Sequence, residues 1–124
     1  MNPSELKAFV LKNMQLFYDE YETPPPGTTV GTPWSKEHIA AELEKMRPCV
    51  IDPFLTECFI QDTHEQWNAN PPIVRNCWVV AIDGSYGLLF DPEAGDFALA
   101  CQSSSREWGT IGVRGDAVTT FLAR

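Results

Sequence analysis

At 124 residues, with 44% hydrophobic and 11% aromatic residues, the chain has the apolar content of one domain over residues 1–124 with its own core. A charged content of 21% excludes an intrinsically disordered chain, and a formal charge of −8 argues against nucleic acid and anionic membrane as partners. Cys49, Cys58, Cys77 and Cys101 stand at neither C-x-x-C nor zinc-finger spacing. No apolar run reaches bilayer length, and no basic region followed by an apolar run opens the chain. The expectation is a cytoplasmic domain with free thiols, no metal and no cofactor.

The first element is a helix. Asn2 caps it, Pro3 suits its first position and Glu5 completes an N-x-x-E box, with Leu6, Phe9, Val10, Phe17 and Tyr21 on one stripe. Thr23-Pro24-Pro25-Pro26-Gly27 stops it, and a loop runs to Thr32. A second helix starts around Thr32-Pro33 or Ser35, buries Ile39, Leu43 and Met46, and ends at Pro48, which pushes Arg47 out of helical geometry. From Cys49 to Ile60 two readings stand: short strands at Val50-Ile51 and Cys58-Phe59-Ile60 turned by Asp52-Pro53, or a helical turn from Phe54 to Phe59.

Val74 to Ile82 is a β-forming run apolar on both faces at its end, followed by the hairpin signal Asp83-Gly84. Tyr86 to Phe90, Phe97 to Gln102 and Trp108 to Val113 continue an antiparallel meander. Asp116 then caps a short helix that buries Val118, Phe121 and Leu122. The fold class predicted is α+β: two N-terminal helices, a four-stranded antiparallel meander and a short C-terminal helix.

Chemistry-bearing patterns are few. Cys58 or Cys77 with His64, oriented by Asp62 or Glu65, would make a thiol nucleophile, but no local signature surrounds either cysteine. Glu57 and Asp62 are one carboxylate pair among many that seventeen acids produce by chance. Asp91-x-Glu93-x-Gly95-Asp96 offers oxygens around a glycine without a calcium loop's length, and reads more simply as a β-turn. In Arg114-Gly115-Asp116 the glycine serves a strand-to-helix turn and the aspartate a cap. Gly109 and Gly112 lack dinucleotide-fingerprint spacing.

Charge is lopsided along the chain. Between Pro48 and Ser105, Arg75 stands alone against Asp52, Glu57, Asp62, Glu65, Asp83, Asp91, Glu93 and Asp96, a net of −7. Trp78 reads as core. Trp34 and Trp67 lie in or beside loops, and Trp67 sits in the polar stretch His64 to Pro72, either as a binding epitope or folded back over the sheet.

In size, charge and layout the chain resembles the small immunity proteins and antitoxins with which bacteria block a toxin. The resemblance transfers no residues. It implies a non-enzymatic inhibitor whose surface at Asp52, Glu57, Asp62, Glu65, Trp67, Asp91 and Glu93 occludes the basic active site of a toxin effector, with acids steering association. The rival expectations are a small hydrolase or transferase using Cys58 or Cys77, and a ligand-sensing or adaptor domain with a pocket between helices and sheet. Exposed strand edges leave a homodimer open.

Overall fold

The computed structural model describes residues 1–28 and 30–124. Helix α1 spans Pro3–Glu20, with Asn2 Oδ1 accepting the Glu5 N–H at 2.8 Å. The loop expected up to Thr32 includes Thr29, which lies outside the described residues. Helix α2 spans Lys36–Met46, and Ser35, not Thr32-Pro33, is its cap, accepting the His38 N–H at 3.0 Å. Arg47 remains in right-handed helical geometry, and Pro48 falls within a 3₁₀ turn over Arg47–Cys49, whose tighter winding carries the chain into the sheet.

Five strands follow: β1 Val50–Phe59, β2 Val74–Asp83, β3 Tyr86–Asp91, β4 Asp96–Gln102 and β5 Trp108–Gly115. Helix α3, His64–Trp67, lies between β1 and β2, and α4, Ala117–Leu122, closes the chain. The segment with two open readings is one ten-residue strand. Asp52-Pro53 does not turn it but sits in a bulge, where the register slips between Val50↔Ala81 and Phe54↔Val79. A bulge is one of the few places in a sheet that tolerates a residue without an N–H. The hairpin turn after β2 centres on Gly84-Ser85, because Asp83 still pairs with Tyr86, and Gly84 takes the positive φ of 60° that the turn needs.

The fifth strand changes the architecture. The strands close in the order β1-β2-β3-β4-β5, all neighbours antiparallel except at the seam. With an odd number of alternating strands the first and last run the same way, so β1 and β5 join in parallel, at Cys58↔Trp108 and Phe59↔Gly109.

Two cores result. Leu6, Val10 and Met14 of α1, Ile39, Leu43 and Met46 of α2, and Val118 and Phe121 of α4 pack on the outer face of the barrel over Val80, Leu88 and Leu99. Met14, unassigned in the stripe read from sequence, is buried, whereas Phe9 is exposed and stacks on Phe97 with centroids 6.2 Å apart. Trp78 is half-buried against this core rather than within it. The second core fills the barrel with Cys58, Ile60, Cys77, Val79, Leu89, Ala100 and Trp108. Val79-Val80 and Leu88-Leu89 are apolar without alternation because one side chain faces the barrel interior and the next faces the helices. Gly87 makes room for Trp108: a Cβ there would lie 2.5 Å from the indole Cζ3.

Candidate functional site

The inward face of β3 changes from apolar to charged within two residues. Leu89 lies in the barrel core, and Asp91, next on the same face, is buried with 1% of its surface exposed. Its Oδ2 accepts from Arg75 Nη1 at 2.8 Å and from Arg114 Nη2 at 3.2 Å. Its Oδ1 accepts the N–H groups of Glu93 and Ala94 at 3.1 and 3.3 Å. Arg114 also binds Asp62 Oδ2 through Nε and Asp96 Oδ1 through Nη1, both at 2.7 Å, while Arg75 Nε stands 3.3 Å from Glu93 Oε2. Asp62 Oδ1 accepts the Gly112 N–H at 2.9 Å, which ties the bulge of β5 to the loop after β1.

Burial by itself pushes the Asp91 carboxyl up. The hydrogen bonds from Arg75, the Ala94 N–H and Arg114, with the charge of Arg75, outweigh it and hold the group below the usual carboxylate range. Burial likewise works against the Arg114 charge, and Asp62, Asp96 and Asp91 raise its pKa above the ordinary arginine value. The cluster is a set of arginines saturated by carboxylates. The turn Asp91 to Asp96 brings Asp91 and Asp96 to Arg114 and Glu93 to Arg75, with Gly95 at a φ of 77° and its N–H donating to the Asp91 carbonyl at 2.8 Å.

Cys58 and Cys77 lie beside this cluster on the inner face of β1 and β2, both buried. The Cys77 thiol is pushed up by the neighbouring Cys58 and by burial, with Asp91 adding to the effect. His64 stands exposed on α3, its ring 3.3 and 3.4 Å from the Asn68 side-chain nitrogen. The thiols and the imidazole considered as a nucleophile and its base are therefore not brought together. Cys101 is half-buried, and Cys49 is raised by burial and by Asp83.

The seven residues expected to form a docking surface divide. Asp62 and Asp91 turn inward to Arg114, and Asp91 presents no surface to a partner, which corrects the expectation for it. Glu93 is exposed beside Arg75. Asp52 is exposed but paired with Lys7 at 2.8 Å, and this bond lowers its pKa. Asp83 pairs with Arg124 at 2.7 Å. Lys7, Arg114 and Arg124 thus bring to the acidic stretch the positive charge it lacks in sequence. Glu57 and Glu65 have no ionic partner among the described residues.

Trp67 is 65% exposed and does not fold back over the sheet. A capping box sets its position: Thr63 Oγ1 accepts the Gln66 N–H, and Gln66 Oε1 accepts the N–H groups of Asp62 and Thr63 at 2.8 and 3.1 Å. Grooves of about 330 and 370 Å³ flank it, sharing Phe59 and Gln61. One reaches Glu107 and Ile111, the other Pro72 and Ile73. The outer face of β1 continues the surface, with Leu55, Glu57 and Phe59 opposite Trp78, Asn76 and Val74 of β2. Leu55, Ile73, Val74 and Ile111 are exposed. None of these four was legible in the sequence as a surface residue, and only Leu55 had a signal, the alternation Leu55-x-Glu57-x-Phe59. Further grooves of about 220, 270 and 540 Å³ lie between α1 and α2, lined by Met14, Tyr18, Leu43 and Arg47; between α1 and β1, at Lys7, Leu11, Asp52 and Pro53; and between α1 and the ends of β3 and β4, at Phe9, Phe90, Asp96 and Phe97, while the outer core fills the centre of the helix–sheet layer.

Among the described residues no helix is long and apolar enough to cross a membrane. No protein-family model matches the chain, and no match to it is found among the curated proteins or among the solved structures.

Proposed function

We propose that the chain is a non-catalytic binding protein of the immunity type, which inhibits a basic toxin-like enzyme by covering its active-site surface. The observation that supports this reading is Trp67, held outward by its capping box in an exposed apolar face with Glu65 on the same short helix and Glu107 lining the adjoining groove, and among the described residues no base is paired to Glu57, Glu65 or Glu107. A tryptophan between grooves is the kind of anchor that dominates interface energetics, and uncompensated carboxylates steer a basic partner. The proposed face is narrower than the seven-residue surface: it keeps Glu57, Glu65 and Trp67 and sets aside the acids bound to Arg75, Arg114 and Lys7.

The test is to find whether a gene for a basic toxin-like enzyme adjoins this one and, with that enzyme purified, whether the protein inhibits it. The protein is expected to abolish that activity at equimolar ratio, more slowly at high salt, and Trp67→Ala is expected to weaken the complex roughly 30-fold, the threshold of a hot spot. An enzyme that keeps turning over beside an equimolar amount of the protein defeats the reading, as does an unchanged affinity in Trp67→Ala.

A further inference from the structure

The outer face of the barrel carries a hollow where three strands meet. Phe59 of β1 pairs with Gly109 of β5, and Gly109 pairs with Cys101 of β4. The three form one row, on the face opposite Cys58, Trp108 and Ala100 of the inner core. The middle position has no side chain, and Gln61 lies over it: a Cβ at Gly109 would run into the Gln61 amide. The Gln61 N–H donates to Thr110 Oγ1 at 2.8 Å, which fixes where that side chain begins. With Trp67 and Glu107 these residues line a groove of about 330 Å³. The turn before β5 holds Glu107 in place, its N–H donating to Ser103 Oγ at 3.2 Å and its carbonyl accepting the Ser103 N–H at 2.9 Å. Among the described residues the Glu107 carboxylate has no ionic partner, and the hydrogen bonds of Gln61 and Glu107 are those of their backbones.

We infer that this groove takes the side chain of an arginine of the partner, its guanidinium laid against Trp67 and bound by the Glu107 carboxylate. The inference rests on the docking reading above and names what enters the face. The Trp67 ring, 65% exposed, is the side-chain surface that attracts a cation most strongly. The unpaired carboxylate of Glu107 supplies the opposite charge. It meets a planar guanidinium through two parallel N–H···O bonds, where an ammonium makes a single point contact, so the pair of ring and carboxylate selects arginine over lysine. The Gln61 amide oxygen can accept one of the remaining N–H groups, and the apolar row of Phe59, Gly109 and Cys101 covers the methylene stem. Arg106, at a φ of 66°, is the one arginine of this chain that pairs with no acid among the described residues, so a second copy is the competing occupant.

The probe is N-acetyl-arginine amide, titrated to about 10 mM at constant ionic strength into the full ¹⁵N-labelled chain, tenfold beyond a millimolar affinity. Its control is the citrulline analogue, which is equally planar but uncharged. The Trp67 indole N–H, the Gln61 side-chain amide and the Gly109 amide are expected to shift and saturate with the arginine probe, and to respond at least about fivefold more weakly to citrulline. Glu107→Gln is expected to remove the difference between the two probes, and the amide spectrum of that variant shows that it is folded. The inference is overturned if neither probe shifts the three groups, or if both shift them alike, which would leave the groove merely apolar. It is equally overturned if Glu107→Gln keeps the preference for arginine. Shifts of the same groups with rising protein concentration and no probe, abolished in Arg106→Ala, would assign the groove to a second copy and overturn it too. Inhibition of the neighbouring enzyme reports on the Trp67 face whichever way the titration falls, so the two readings fail separately.

Discussion

Two regions draw on the same acidic stretch and use it in opposite ways. At the barrel mouth Asp62, Asp91 and Asp96 are bound to Arg114, with Arg75 on the far side of Asp91, and their charge serves the inside of the molecule. On the outer face Trp67, Glu57 and Glu65 are exposed, and among the described residues no cation is bound to either glutamate. A run of like charge in sequence is therefore not a surface: what decides is whether distant bases fold back to meet it.

The contrast is tested most severely at Arg114. Removing it leaves Asp91 buried with one arginine in place of two and frees Asp62 and Asp96, so Arg114→Met is expected to cost about 3 kcal/mol in urea unfolding, the cost of breaking a buried ion pair. A loss below about 0.5 kcal/mol would place the cluster with ordinary surface pairs. Next comes the apolar part of the barrel. Gly87→Ala drives a methyl into the Trp108 ring and is expected to cost about 2 kcal/mol by overpacking, with a changed near-ultraviolet dichroism from the displaced indole.

A smaller effect is read from acid. Because Asp91 titrates below its unfolded value, the stability it contributes is complete above about pH 4 and is lost as pH falls through the folded-state pKa. Asp91→Asn is expected to be less stable at pH 7 and to lose less on acidification, measured by unfolding midpoints at pH 7 and pH 3. An acid limb as steep as that of the parent chain would remove Asp91 from the cause. The outer face gives the smallest change: Trp67→Ala is expected to alter stability by less than about 0.5 kcal/mol in the same unfolding assay, since most of that ring is already in water.

The legibility of this molecule follows the range of its interactions. Asn2, Ser35 and Asp116 were readable as caps because each bonds an N–H three residues on. The meander was readable from its turns. Strand β1 was obscured by Pro53, whose presence suggests an interruption where the chain makes a bulge. The arginine cluster left no trace, since Arg114 and Asp62 are separated by 52 residues and nothing local distinguishes a carboxylate that will be bound from one that will not. Trp67 stood out among polar neighbours, but Leu55, Ile73 and Ile111 have the composition of core residues, and only the closed barrel shows which apolar side chains it leaves outside.

A cylinder whose last ladder has two residue pairs, backed by the side-chain bonds of Asp62 and Thr110 just beyond it, is a ribbon with a clasp. Short turns link each strand of the meander to the next, whereas the clasp joins Cys58 to Trp108, fifty positions away, so it has the larger chain entropy to overcome and fewer bonds to hold it. Assembly is accordingly expected to run from the meander to the fastening, and release to begin there. Cys58 is buried at this seam, so slow native-state labelling of its thiol, set against the global unfolding rate, is the measurement that checks that order.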